Sequence, residues 1–121
     1  MKTVVAILVN GLILSVAGFA AEPVKPLGNK EAMQLTMSAS TPADHLRLAK
    51  YFELKAEKLE AESKEHADMA RNFRAQPTAS DTKRPGAADT ASHCASLSQN
   101  LAKAAKDSRA LASDQEALAK Q

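Results

Sequence analysis

Tryptophan is missing from this 121-residue chain, tyrosine and cysteine each occur once, and glycine and proline number four and five. With Cys94 alone, no intrachain disulfide can form, so the fold cannot rest on one. So little glycine and proline excludes a collagen-like or linker-like chain. The aromatic residues are Phe19, Tyr51, Phe52 and Phe73, and much of the 45% hydrophobic share is alanine, so any core is thin. A basic run is also lacking. Sixteen basic and 14 acidic residues are interspersed, for a net charge of +2, and no stripe of cations suits a nucleic-acid backbone.

What is present begins with a leader. Lys2 supplies a positive start, Val4 to Phe19 is apolar apart from Asn10, Gly11, Ser15 and Gly18, and small residues stand at Gly18 and Ala20. This is the pattern of a secretory signal peptide over 1–20, with cleavage after Ala20. The apolar run falls short of the roughly 20 residues that span a bilayer. The expectation is a periplasmic or secreted protein without stable membrane insertion once the leader is removed. Losing Lys2 leaves 15 basic and 14 acidic residues, a net charge of +1.

Residues 21–40 read as a tether and a short helix. Pro23 and Pro26 favour an extended lead, and Asn29 is placed to cap a helix from Lys30 to about Ser38. Met33 and Met37 stand four apart on one face of it. In an exported chain they suggest copper, but flexible thioethers filling gaps is the preferred reading.

The strongest local signal is Ser40-Thr41-Pro42-Ala43-Asp44. Thr41 is an N-cap, Pro42 occupies the first helical position, and Asp44 completes a variant capping box. A helix over 41–75 follows, about 50 Å long at about 1.5 Å per residue. Every seventh residue is large at His45, Phe52, Leu59, His66 and Phe73, and small at Ala49, Ala56, Ser63 and Ala70. Charged residues on the outer faces include Glu60 and Lys64, spaced to pair along the helix.

Residues 76–89 form a loop rich in Thr, Ser, Pro and Gly that contains Lys83-Arg84. Asp89 or Thr90 caps a last helix over 90–119. Its apolar stripe is Cys94, Leu97, Leu101, Ala104, Leu111 and Leu118, interrupted by Ser108 and Gln115 and bordered by Ser98, Ala105, Ala112 and Ala119. The domain over 41–121 is thus an all-α antiparallel helical hairpin, preceded by a short N-terminal helix. Seams poor in Leu and Ile bury little apolar surface. Leu46, Leu48, Tyr51, Leu54 and Met69 would stay partly exposed unless something covers them. A second copy could do so by forming a four-helix bundle, which makes a homo-oligomer or a protein partner the expectation.

The residues that could carry chemistry are few. In an antiparallel hairpin His66 and Met69 share one half of the molecule with His93 and Cys94. Imidazole, thiolate and thioether donors suit Cu, and His with Cys suits Zn. Against this metal site, neighbours such as His93 and Cys94 point about 100° apart on a helix. Level helix ends would also leave His66 and His93 about 8 Å apart along the axis. The competing reading makes His45 and His66 seam residues bonded across the interface to Ser, Gln or a carbonyl, with Cys94 a small buried neighbour. A Cys/His catalytic pair needs a third, orienting group and a pocket, and a thin hairpin provides neither. The function expected is a non-enzymatic binding or scaffold module, with Cu or Zn binding through His66, His93, Cys94 and Met69 as the alternative.

The motifs His45-x-x-Leu48-Ala49-x-Tyr51-Phe52, His66-x-x-Met69-Ala70-x-x-Phe73 and His93-Cys94-x-x-Leu97 resemble a group of small exported bacterial helical proteins with no established activity. The likeness covers most of the chain after the leader, excluding the loop and the tether. It departs at the tail, where Lys120-Gln121 stand and the resemblance implies a histidine.

Overall fold

The computed structural model describes residues 25–76 and 87–121. The expected leader, residues 21–24 of the tether and the Lys83-Arg84 pair lie outside them. Three helices account for most of the described chain: α1 (Asn29–Ser38), α2 (Pro42–Ala75) and α3 (Ala87–Leu118). α2 packs along α3, and α1 packs on α2. The all-α hairpin with a short leading helix is what the sequence periodicity implies.

α2 begins where its sequence dictates. Thr41 is extended, its Oγ1 accepts from the Asp44 N–H at 3.2 Å, and the Asp44 carboxylate accepts from the Thr41 and Ser40 N–H groups at 3.2 and 3.3 Å. Three otherwise unpaired donors are thereby satisfied at the helix start. The bonds from Thr41 and Ser40 hold the Asp44 carboxyl below its usual range. α2 stops at Ala75, ahead of Pro77, whose ring disfavours a helical residue before it.

α1 departs from its expected cap. Gly28, not Asn29, holds the N-cap position, and its N–H donates to the Glu31 carboxylate at 3.0 Å. The Asn29 side chain is engaged elsewhere: its Oδ1 accepts from the Tyr51 hydroxyl at 3.0 Å. A tertiary bond has displaced a local one. It also shows that α1 folds back along the first turns of α2, with its start beside Tyr51.

α3 starts at Ala87, ahead of the Asp89 or Thr90 cap expected. Asp89 lies in its first turn, where a carboxylate complements the helix dipole.

The pairing of α2 with α3 follows one register. Ser63 Oγ donates to the Ser98 carbonyl at 2.8 Å and lies 3.3 Å from the Ser98 hydroxyl. Steps of seven from that pair, up one helix and down the other, match Ala49 with Ala112, Ala56 with Ala105 and Ala70 with Ala91. All six alanines are buried. A side-chain hydroxyl that reaches the opposite backbone carbonyl requires close helix axes, which alanine columns permit.

Beside this small column runs a larger one, anchored by His45 Nδ1 at 2.9 Å from Gln115 Oε1. The same steps place Phe52 opposite Ser108, Leu59 opposite Leu101 and His66 opposite Cys94. Ser108 is buried, and its hydroxyl donates to the Ala104 carbonyl one turn back at 2.9 Å.

Several expectations about packing are corrected. Leu97, Leu111 and Leu118 were expected in the α3 seam but are exposed, while Ala91, Ala105, Ser108 and Ala112 are buried. Leucines between the helices would hold the backbones apart and forfeit the alanine contacts. Met33 and Met37 fill no gap, being 72% and 82% exposed; α1 instead buries Ala32. Leu48, expected to be partly exposed, is only 2% exposed, on the stretch of α2 that α1 covers. Glu60 pairs not with Lys64 but across the hairpin with Arg109, whose Nη1 and Nη2 each donate to one carboxylate oxygen, the latter at 2.7 Å. The fork and carboxylate geometry favours this bidentate bond over a flexible ammonium.

A pH dependence follows. The Arg109 bond holds the Glu60 carboxyl below its usual range, as the cap does for Asp44. Both groups are more acidic folded than unfolded, so their contribution is present above the ordinary carboxylate values of 4.5 and 3.8 and is lost as pH falls through the lower folded values. Thermal melts should shift downward below about pH 4.5, and the shift should be shallower in the Asp44→Asn/Glu60→Gln variant. Equal acid sensitivity in the two proteins would show that other groups govern the fall.

Candidate functional site

Polar chemistry in the hairpin is concentrated along the larger column and its edges. At the open end, His45 meets Gln115. An amide oxygen can only accept, so the His45 Nδ1 carries the proton in this bond. Sequence reading treated Gln115 as an interruption of an apolar stripe, and the constant register now shows it as the partner of His45.

Midway, Arg109 bridges to Glu60 and faces Glu57 and Glu53 on the same helix. The bond to Glu60, with the charges of all three, raises its already high pKa. Sequence spacing marked Glu60 as a helix-surface charge. Its partner is 49 positions away, and only the hairpin register reveals it.

Towards the loop end the expected metal residues separate into two groups. His66 and Cys94 fall in one layer, three heptads from the His45/Gln115 contact on each helix. This register, fixed by the Ser63–Ser98 and His45–Gln115 contacts, removes the axial gap expected from level ends. His66 Nδ1 is buried and has no hydrogen-bond partner. A buried ring nitrogen without a partner costs free energy, on the order of 1–3 kcal/mol for an unpaired polar group. Cys94 is half-buried and its thiol is free.

His93 is not brought into this layer. It is exposed, as the rotation of about 100° from Cys94 requires. Met69, one turn beyond His66, is 41% exposed. Among the described residues no three His, Cys, Asp or Glu side chains converge as a metal cluster.

A shallow groove of about 350 Å³ lies where α1 begins, lined by Leu27, Asn29, Tyr51, Leu54, Leu59 and by Lys55, Lys58 and Glu62. It has apolar walls and charged lips, where Lys58 pairs with Glu62 at 3.9 Å. No described helix is long and apolar enough to cross a membrane.

No protein-family model, curated protein or solved structure matches the chain.

Proposed function

We propose that the protein is an exported, non-enzymatic helical module that works by binding and self-association. The observation carrying this reading is a comparison of equivalent positions. Leu48 and Met69 stand three heptads apart on the same edge of α2, each three residues after a histidine of the larger column. Leu48 is 2% exposed where α1 lies over it, and Met69 is 41% exposed. Among the described residues, α1 lies over the Leu48 end of this edge and leaves Met69 exposed. Leu97, 43% exposed, holds the corresponding edge of α3. A thin alanine interior with large apolar side chains outside it favours an interface.

Light scattering across dilution should give a dimer or larger species at micromolar concentration. Met69→Glu/Leu97→Glu should dissociate it without loss of helical circular dichroism. A monomer that melts cooperatively at every concentration would contradict self-association. Metal binding is a second reading, favoured by the buried, unpartnered Nδ1 of His66 in the layer of Cys94.

A further inference from the structure

We infer that the groove between α2 and the segment leading into α1 binds a single-chain carboxylate, with its head group held between Lys55 and Lys58 and its tail laid along Leu27, Leu54 and Leu59. The inference rests on the binding role proposed above, names a ligand for it, and is independent of self-association.

The walls of the groove are apolar and tied together. Tyr51, Leu54 and Leu59 line it from α2, and Leu27, two residues ahead of Asn29, lines it from the segment before α1. All four are half-buried, so each keeps apolar surface turned to the opening. The Tyr51 hydroxyl donates to Asn29 Oδ1 at 3.0 Å and joins the two walls at one end. Water over such walls is displaced favourably by an apolar tail.

The charge at the lips is unbalanced. Two lysines, Lys55 and Lys58, stand one turn apart on α2 against the single carboxylate of Glu62. Glu62 engages Lys58 at 3.9 Å, beyond hydrogen-bond range. Among the described residues Lys55 has no ion pair, and its ammonium lies 5.8 Å from the centre of the Tyr51 ring. A cation parked on an aromatic face beside apolar walls complements an anion that carries its own apolar body. A neutral ligand would leave that charge unanswered, and a cationic one would be repelled by both lysines.

Size selects the class of anion. At about 350 Å³ the groove lies at the small end of ligand sites, and its lining runs about 16 Å along α2 from Tyr51 to Glu62 at about 1.5 Å per residue. A helix, about 10 Å across with its side chains, is too thick to enter. One extended hydrocarbon chain of medium length is not.

Tyr51 is the only tyrosine and the chain has no tryptophan, so ultraviolet emission reports on this groove alone. The test titrates the chain purified after export with hexanoate, octanoate and decanoate, far below their micelle concentrations. The expected result is a saturable change in Tyr51 emission at one ligand per chain, tightening about two- to fourfold for each added methylene. Octanol should bind about tenfold more weakly than octanoate, and Lys55→Gln should weaken octanoate about five- to tenfold. Leu27→Ser should weaken it comparably, and Lys106→Gln, on α3, should change nothing. Circular dichroism checks that each variant keeps its helices, and Leu27→Ser lies outside all three of them. Equal binding of octanol and octanoate, or wild-type affinity in Lys55→Gln and Leu27→Ser, would overturn the site. So would equal losses in Lys106→Gln and Lys55→Gln, which would mark diffuse attraction. Binding to phosphatidylglycerol vesicles without saturable binding of free decanoate would overturn it in favour of a membrane contact. Light scattering on the same samples follows self-association separately, so a dimer that ignores carboxylates would contradict this inference alone.

Discussion

Leu48→Ala is expected to destabilise the protein by about 2–4 kcal/mol, the cost of removing a buried leucine and leaving part of its cavity. Leu48 is the one large side chain among the described residues that is almost completely enclosed. Its neighbours in the larger column are His45 and Phe52, three residues before and four after, and α1 covers that stretch of α2. The loss should therefore act on two contacts together. Urea unfolding should show the drop in midpoint, and hydrogen exchange should show the α1 amides losing protection first, because the Tyr51–Asn29 bond is exposed and holds weakly without apolar support. Leu46→Ala is the control. That side chain is 52% exposed, and its loss should cost no more than about 0.5 kcal/mol. Equal effects at the two positions would mean that α1 does not shield Leu48.

Enlarging the alanine seam is the second large effect. Ala56 is fully buried and Ala105 opposite is 1% exposed, so Ala56→Leu has no space to enter and must separate the helices. Overpacking of this kind costs about 1–3 kcal/mol. The strain should also lengthen the Ser63–Ser98 contact one heptad away and weaken the Glu60–Arg109 pair, since both depend on the same axial separation. Ala61→Leu, at an exposed position of the same helix, should be near neutral, because leucine and alanine differ little in helix propensity. Thermal melts of the two variants distinguish packing from propensity. Comparable melting points would contradict close packing of the alanine columns.

Much of this arrangement was legible in the residues. The start of α2 could be read from Thr41, Pro42 and Asp44, because a cap is local and its donors and acceptors lie within four residues. The sevenfold columns of α2 were legible for the same reason. The rotation of α3 was not. A hydrophobicity pattern ranks leucine above alanine as a seam residue, whereas the close approach of two backbones rewards the smaller side chain, so Leu97, Leu111 and Leu118 were misplaced. Pairings such as Glu60 with Arg109 and His45 with Gln115 depend on the stagger of the helices, which a single helix does not encode. The residues expected from sequence to hold a metal illustrate both limits: rotation removes His93 from the layer, and stagger brings Cys94 level with His66.

The register itself is most directly tested by cysteine cross-linking in a Cys94→Ser background at high dilution. Ala56→Cys/Ala105→Cys should oxidise rapidly to an intrachain disulfide, because a disulfide needs Cα atoms about 4.4–6.8 Å apart. Moving the second cysteine one heptad either way, as Ala56→Cys/Ser98→Cys or Ala56→Cys/Ala112→Cys, displaces it by about 10 Å along the axis and should leave the thiols free. Preferential cross-linking of either shifted pair would contradict the register, and with it the layer that places His66 opposite Cys94.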